Sequence, residues 1–549
     1  MKNNFSQTKL IFLISLVFVV FYNFTFFGNI INVYPLNSHN IFFLTSIFIN
    51  VFLATNLVLN ILLFFVNTLP KFFKINGVFK RFFSVLFFLA MMGAYVMDSY
   101  RVVIDETMFL NVFKTDAKES LDLLTPKLLI YFVLLFLLPT LILYKIKIEK
   151  VLLRTEIFSR LKSATASIII ILLLVLSFSK FYASFFREQK PLRYYANPTY
   201  WIFSLGKFSS GILKNPNQAL EALGRNSFIP AHDIDRELII LVVGETARRD
   251  RFSLNGNKHE TNPLLKQENV VSFTNVTSCG TSTAISVPCM FSHFGRKNFN
   301  SDKANSTENL LDVLQHTKEV NVLWRDNNSD SKGVANRAKF EDYKSSPPNT
   351  ICDNECRDEG MLVGLQEYID QVKEKDIVIV LHQMGNHGPA YYKRYPKNFE
   401  VFKPVCQTSE LQNCTNEEIV NAYDNAILYT DYFLSKVIQL LKNNSTHFNT
   451  GMLYVSDHGE SLGENGIYLH GLPYIMAPDE QKNVAMIMWF GGNMENETNY
   501  VALRKMANEP YSHDNVFHTI LGMLDIESSA YDPKMDILHG IHIEEYSLK

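Results

Sequence analysis

Cysteine is absent from the first half of this 549-residue chain: none occurs before Cys279, and all six lie between residues 279 and 414. Charge is sparse as well. Asp, Glu, Lys and Arg make up 19% of the residues, against about 25% in an average soluble domain. The shortage is uneven. Residues 1–187 hold 18 Lys and Arg against 8 Asp and Glu, whereas residues 188–549 hold 34 against 46. No basic patch stands out in the acidic part, which excludes a nucleic-acid binder. Long Phe-, Leu-, Ile- and Val-rich runs in the first third exclude a disordered protein and a plain soluble enzyme. The remaining two thirds are long enough to bury a substantial core, which excludes a small disulfide scaffold.

Five apolar stretches, near residues 10–28, 43–66, 82–98, 128–145 and 165–185, approach the roughly 20 residues that a bilayer core requires. The loop between the first two has no Lys or Arg. The next intracellular candidate carries Lys71, Lys74, Lys80 and Arg81, and the loop between the fourth and fifth carries Lys145, Lys147, Lys150, Arg154, Arg160 and Lys162. Basic loops stay in the cytoplasm, so five spans place the N-terminus inside and the C-terminal domain outside. The first span has no small-x-small cleavage site and reads as an uncleaved anchor. The expected division is a membrane domain at 1–187 with an outward loop at 99–126, a linker with bridging segments at 188–230, and an extracytoplasmic domain at 231–549. In the outward loop, Asn111, Thr115 and Glu119 follow the i, i+4, i+8 spacing of one helical face. Spacing alone reads this as a solvated helix.

The cysteines fall in three close pairs, Cys279 and Cys289, Cys352 and Cys356, Cys406 and Cys414. An even count confined to the extracytoplasmic part predicts three local disulfides. A zinc site at Cys352-x3-Cys356 lacks a second Cys pair or a neighbouring His pair.

Three short β-branched runs read as buried strands of a parallel sheet. Leu238-Ile-Ile-Leu-Val-Val243 is followed by Glu245. Ile377-Val-Ile-Val-Leu381 is followed by His382 and His387. Met452-Leu-Tyr-Val455 is followed by Asp457 and His458. Helical patterns around 357–373, 417–442 and 513–524 alternate with them, which predicts a layered α/β fold. Sites in such folds gather beyond the carboxyl ends of the strands. Carboxylate and imidazole groups without thiolate suit a catalytic Zn²⁺ or Mn²⁺, and His470 falls close behind His458. The stretch Ser278-Cys-Gly-Thr-Ser-Thr-Ala-Ile-Ser-Val-Pro-Cys289 offers hydroxyls beside a predicted helix start, where free N–H groups favour a phosphate. A metal next to a hydroxyl makes an alkoxide nucleophile feasible. Composition does not choose between Thr281, Ser282 and Thr283.

Gly244-Glu-Thr-Ala-Arg-Arg-Asp250, Ser278 to Ser292, Asn386-His-Gly-Pro389, Ser456-Asp-His-Gly-Glu-Ser-Leu-Gly-Glu464 and Tyr468-Leu-His-Gly-Leu-Pro-Tyr474 together resemble the phosphoethanolamine transferases that act on lipid A, which include the mobile colistin resistance enzymes. The likeness covers essentially the whole chain. It implies five membrane helices and a periplasmic domain of the alkaline phosphatase superfamily, layered αβα with a mainly parallel sheet. It implies that Thr283 is the nucleophile, that Glu245, Thr283, Asp457 and His458 bind zinc, and that His387 and His470 bind substrate or a second zinc. Lys332 and Asn328 are implied in the pocket beside the phosphate. Asn111, Thr115 and Glu119 are implied in headgroup binding, which reverses the solvated-loop reading. The three cysteine pairs match the family's disulfides.

The resemblance implies transfer of phosphoethanolamine from phosphatidylethanolamine to a phosphate of lipid A by a multi-pass inner-membrane protein, expected as a monomer. The competing reading is transfer of phosphoethanolamine or phosphoglycerol to another envelope acceptor. The sulfatase pattern of Cys or Ser followed by x-Pro-x-Arg is not met, because Ser286-Val-Pro-Cys-Met290 ends in Met. A receptor or transporter would place charges within its spans, and here the spans contain few internal charges, with Asp98 at an edge.

Overall fold

Leu10, Ile11, Ile14 and Phe18 recur at helical spacing and are all buried, whereas Phe12, Leu13 and Val20 between them are exposed. This is the pattern of a membrane helix with one face on protein and one on lipid. The computed structural model describes residues 5–38, 40–68, 75–106, 108–109, 123–149, 152–214, 220–373 and 375–541. The chain forms two compact units, residues 1–109 with 124–210, and residues 110–123 with 211–549.

In the first unit, α1 (Gln7–Phe21) packs its buried face against Leu59 and Leu63 of α3 (Ile41–Thr68) and against Phe79, Phe83 and Phe87 of α4 (Ile75–Tyr100). Among the described residues, four helices are long and apolar enough to cross a membrane: Ile41–Phe64, Gly77–Tyr100, Pro126–Lys145 and Arg154–Ser177. The fifth expected span, at 10–28, is instead a pair, α1 and α2 (Phe24–Val33), bent by 59°. The cause is polar. Asn23 at the break donates to Phe18 O at 2.9 Å and Asn197 O at 2.6 Å, and accepts from Asn197 N at 2.9 Å. Asn197 in turn donates to Tyr22 O and Ala90 O. These amides satisfy backbone groups that a kink frees where water is absent. Pro126–Lys145 contains a π-helical turn, Phe132–Leu137, just before Pro139; a residue without N–H shifts the local ladder in this way. The segment expected at 165–185 is one helix, Leu153–Ser177, that ends at Phe178 before a second, Ser179–Glu188.

In the second unit eleven short strands are described. Seven make the main sheet: β1 (Glu237–Gly244), β2 (Val271–Phe273), β4 (Val320–Asp326), β5 (Lys339–Asp342), β6 (Asp376–His382), β7 (Asn449–Ser456) and β10 (Met486–Gly491). Their order is β2-β10-β7-β1-β6-β4-β5. The five strands from β7 to β5 are parallel, and β10 and β2 extend the sheet in antiparallel fashion. Two-stranded pairs join β3 (Val276–Thr277) to β11 (Tyr511–Ser512) and β8 (Ser461–Leu462) to β9 (Tyr468–Leu469). Alternate side chains of β1 enter two different cores: Ile239, Leu241 and Val243 on one face, Leu238, Ile240 and Val242 on the other. Period-two alternation with both faces covered explains why the strand reads as a continuous apolar run.

The helix Asn416–Asn444 occupies the second core, opened by a capping box between Thr415 and Glu418. The pattern at 357–373 is not one helix. A 3-10 turn, Asp358–Leu362, is separated from the helix Leu365–Gln371 by Gly364 in a left-handed conformation. The pattern at 513–524 is a 3-10 turn, His513–Asn515, that leads into the helix Val516–Gly522.

Candidate active site

β1 and β7 are neighbours in register, with Gly244 opposite Ser456. The residues that follow each strand therefore emerge side by side at the carboxyl edge. Asp457 N donates to Gly244 O at 2.9 Å, and Thr246 N donates to Asp457 Oδ1 at 3.1 Å. This pairing brings Glu245 next to Asp457 and His458, and all three are fully buried. Each offers a ligand atom within 4.8 Å of the others. Thr283 is the first residue of the helix Thr283–Met290. Its Oγ1 donates to Glu245 Oε2 at 3.2 Å and lies 3.4 Å from His458 Nε2. The neighbouring hydroxyl Thr281 is turned away, bonded to Leu472 O.

The donor set fits a metal ion. His458 Nδ1 lies 2.9 Å from Gly459 O, which fixes the proton on Nδ1 and leaves a lone pair on Nε2. That lone pair faces Asp457 Oδ2 at 3.2 Å and Glu245 Oε1 at 3.5 Å. Asp457 Oδ2 is buried and accepts no hydrogen bond. Converging lone pairs repel unless a cation lies among them. Without one, burial raises the Asp457 carboxyl and pushes the His458 imidazole well below its ordinary value.

The other expected residues surround this group. The His470 ring is tilted against His458, with centroids 4.2 Å apart, and meets the His387 ring edge-on at 5.8 Å. Burial, then the charge of Arg394, holds His387 well below the usual imidazole range. Asn328, just after β4, donates to Glu245 Oε2 at 2.8 Å and to Gln383 O at 2.7 Å. Lys332 is buried, with Nζ on Ser329 O and Ser329 Oγ, and its charge reaches His387. Asn111, Thr115 and Glu119 lie outside the described residues. Each cysteine pair is joined: Cys279–Cys289, Cys352–Cys356 and Cys406–Cys414.

Several supporting residues were not singled out by the sequence reading. Glu460 accepts from Tyr391 OH and meets His470 Nδ1, both at 2.9 Å. Asp358 receives Met384 N and Gly385 N and so holds the turn before His387. Gly385 has φ 49°, and a Cβ there would lie 2.9 Å from Glu245 O; glycine is what lets this turn approach. His513 lies between Cys279 N at 3.2 Å and Ser456 O at 2.9 Å, and ties the hydroxyl-bearing loop to β7. The Asp-His-Gly-Glu order made Glu460 visible as part of a motif, but its partner was not readable.

Comparison with known proteins accords with this geometry. Residues 62–211 match the family described as phosphoethanolamine transferase EptA/EptB, and residues 237–526 match the sulfatase family. Phosphatidylethanolamine transferase Mcr-1 of Escherichia coli is 42% identical over 92% of this chain and 92% of its own. Phosphoethanolamine transferase EptA of Escherichia coli strain K12 is 40% identical over 94% of this chain and 93% of its own. The solved structure of the integral membrane lipooligosaccharide phosphoethanolamine transferase A from Neisseria meningitidis aligns with a TM-score of 0.91 at 35% identity, covering 98% of this chain and 100% of that one. With a helical membrane region, a sulfatase-like α/β domain and relatives of this similarity along nearly its whole length, the chain is a transferase enzyme and belongs to the phosphoethanolamine transferase family.

Proposed function

We propose that the protein moves phosphoethanolamine from phosphatidylethanolamine to a phosphate of lipid A in two steps through Thr283. The observation that carries this is the Thr283 hydroxyl at a helix N-terminus, hydrogen-bonded to a buried carboxylate and facing His458 Nε2. In the first step Thr283 Oγ1 attacks the phosphorus and gives its proton toward Glu245 Oε2. The phosphorus–oxygen bond to diacylglycerol breaks, and the threonine carries the phosphoethanolamine ester. In the second step an oxygen of the acceptor phosphate attacks that ester and frees Thr283. Glu245, Asp457, His458 and Thr283 would hold Zn²⁺, which supplies Lewis-acid stabilisation of negative charge on the phosphoryl oxygens.

His470, whose Nδ1 meets Glu460 at 2.9 Å, is placed to use Nε2 either to protonate the leaving alkoxide or, with His387, to hold a second zinc. Lys332 adds positive charge beside His387. Asn111, Thr115 and Glu119 are assigned to lipid headgroup binding, and a second zinc to the His387 and His470 side. The division expected from sequence places residues 1–187 in the inner membrane, residues 188–230 as linker, and residues 231–549 in the periplasm, with the N-terminus cytoplasmic. Each group transferred adds an ammonium beside a phosphate and so weakens the attraction of cationic polymyxins.

The test is intact mass of the purified zinc-loaded protein after incubation with phosphatidylethanolamine, beside Thr283→Ala. A phosphoethanolamine adduct on the wild type alone, with diacylglycerol released, is the expected result. No adduct from zinc-loaded protein overturns the donor assignment, and an adduct from phosphatidylglycerol instead would favour the phosphoglycerol reading.

A further inference from the structure

Within the membrane unit, a cavity of about 420 Å³ opens among Thr25, Asn32, Asp98, Arg101, Lys127 and Tyr131. Its volume is within the range of small-ligand sites. It lies where α4 ends and the span from Pro126 begins, so it belongs to one end of the helical region. Charged side chains at the end of an apolar span are costly to keep dry and mark sites of function.

The charges are arranged in an unusual way. Asp98 and Arg101 are three residues apart and line the same cavity, yet no ion pair joins them among the described residues. Arg101 closes α4 in a left-handed conformation, φ 62°, and spends one guanidinium nitrogen on Asn29 Oδ1 at 3.1 Å. A non-glycine residue there is strained by its Cβ. Asp98 is held from the other side: Thr25 N and Thr25 Oγ1 donate to Oδ1 at 3.1 and 2.5 Å, and Tyr131 OH donates to Oδ2 at 3.0 Å. A carboxylate has about four acceptor positions, so capacity remains on Oδ2. A cation and an anion kept apart across a cavity complement a ligand with the opposite pair of charges.

We propose that this cavity seats the zwitterionic headgroup of phosphatidylethanolamine, with its phosphate on Arg101 and Lys127 and its primary ammonium on Asp98. The chemistry separates it from related headgroups. Phosphatidylglycerol would bring no cation to Asp98, and the quaternary ammonium of phosphatidylcholine has no N–H to donate. That the lipid held here is the donor rests on the transfer reading above; that an ammonium phosphodiester is held does not. Thr283 and its neighbours belong to the other unit.

Native mass spectrometry of the full chain tests this, in the Thr283→Ala background so that no lipid is consumed, with phosphatidylethanolamine, phosphatidylcholine and phosphatidylglycerol of matched chains at equal mole fraction. Retention of phosphatidylethanolamine about tenfold over phosphatidylglycerol is expected, one charge-assisted contact being worth about that factor. Arg101→Gln should lower retention of phosphatidylethanolamine about tenfold. Asp98→Asn should bring the two lipids to near-equal retention, a change of preference that simple misfolding does not produce. Equal retention before any cavity substitution, which needs no further variant, or an unchanged ratio in folded Asp98→Asn, overturns the proposal. A retained preference without a Thr283 adduct in the wild type would instead overturn the transfer reading alone.

Discussion

Asn197 and Asn328 are both buried asparagines that bridge distant segments, one in each unit. Asn197 spends its amide on main-chain carbonyls, Tyr22 O and Ala90 O, and receives Trp201 Nε1 on its oxygen. It stands in for the water that a bent helix would otherwise need. Asn328 spends one of its two Nδ2 bonds on Glu245 Oε2 and so aims a carboxylate at the site. The sheet of the α/β unit already satisfies its own backbone, so polar side chains at its edge are available for chemistry. Among the described residues of the membrane unit, Ser15, Asn40 and Thr55 likewise bond main-chain carbonyls, whereas Asp98 and Arg101 line a cavity.

The sharpest test of this contrast is Thr283→Ala, which removes the attacking oxygen. Transfer should fall at least about 1,000-fold, with no adduct in the mass spectrum of the folded variant; residual adduct would move the nucleophile elsewhere. Metal removal comes next. Lone pairs converge at Glu245, Asp457 and His458, so zinc at 1,000 times its dissociation constant should stabilise the α/β unit by about 4 kcal/mol. A calorimetric midpoint indifferent to chelator would sink the metal assignment. Gly385→Ala puts a Cβ against Glu245 O in a backbone conformation worth about 1–3 kcal/mol of strain, and a ten- to hundredfold loss of kcat is expected. In the membrane unit Asn197→Ala should cost about 1–2 kcal/mol of stability in detergent, with kcat affected far less than by Gly385→Ala; the reverse ranking would erase the contrast.

The smallest effect is set by pH at the opposite end of β1. Burial, then the neighbouring Asp376, pushes the Glu237 carboxyl up to about 9 from 4.5. An acid whose folded value is raised keeps its proton on folding, so stability is full below pH 4.5 and falls as pH rises toward 9. Glu237→Gln keeps a donor toward Asp376 and removes that fall. Its thermal midpoint should match wild type near pH 4 and exceed it by a margin that widens as the pH rises to about 8.5. Parallel curves would refute the assignment.

The three strands that lead into the candidate site were legible because a strand buried on both faces has no alternation to hide it, and the polar residue after it stands out. The span count was legible from length, but the bend was not: Asn23 is one polar residue in an apolar run, and its partner Asn197 is 174 positions away. The pattern at 357–373 misled for the opposite reason, since Gly364 breaks a run whose apolar spacing continues across it. Composition left Thr281, Ser282 and Thr283 open and the family resemblance implied Thr283; the fold turns the Thr283 hydroxyl toward Glu245 and that of Thr281 toward Leu472 O. Within the site, Glu460 and Asp358 act through partners that no spacing connects to them.

The order of the strands also governs when activity can begin. β1 is central, yet its neighbour β7 is among the last strands to be synthesised, and Thr246 meets Asp457 across 211 positions of chain. Domains acquire structure as the chain emerges from its N-terminal side. A nascent chain thus carries Glu245 and Thr283 long before Asp457 and His458 exist. His513, which anchors the nucleophile loop to β7, arrives later still. On the proposed assignment, products truncated before Asp457 and His458 are expected to show no transfer activity.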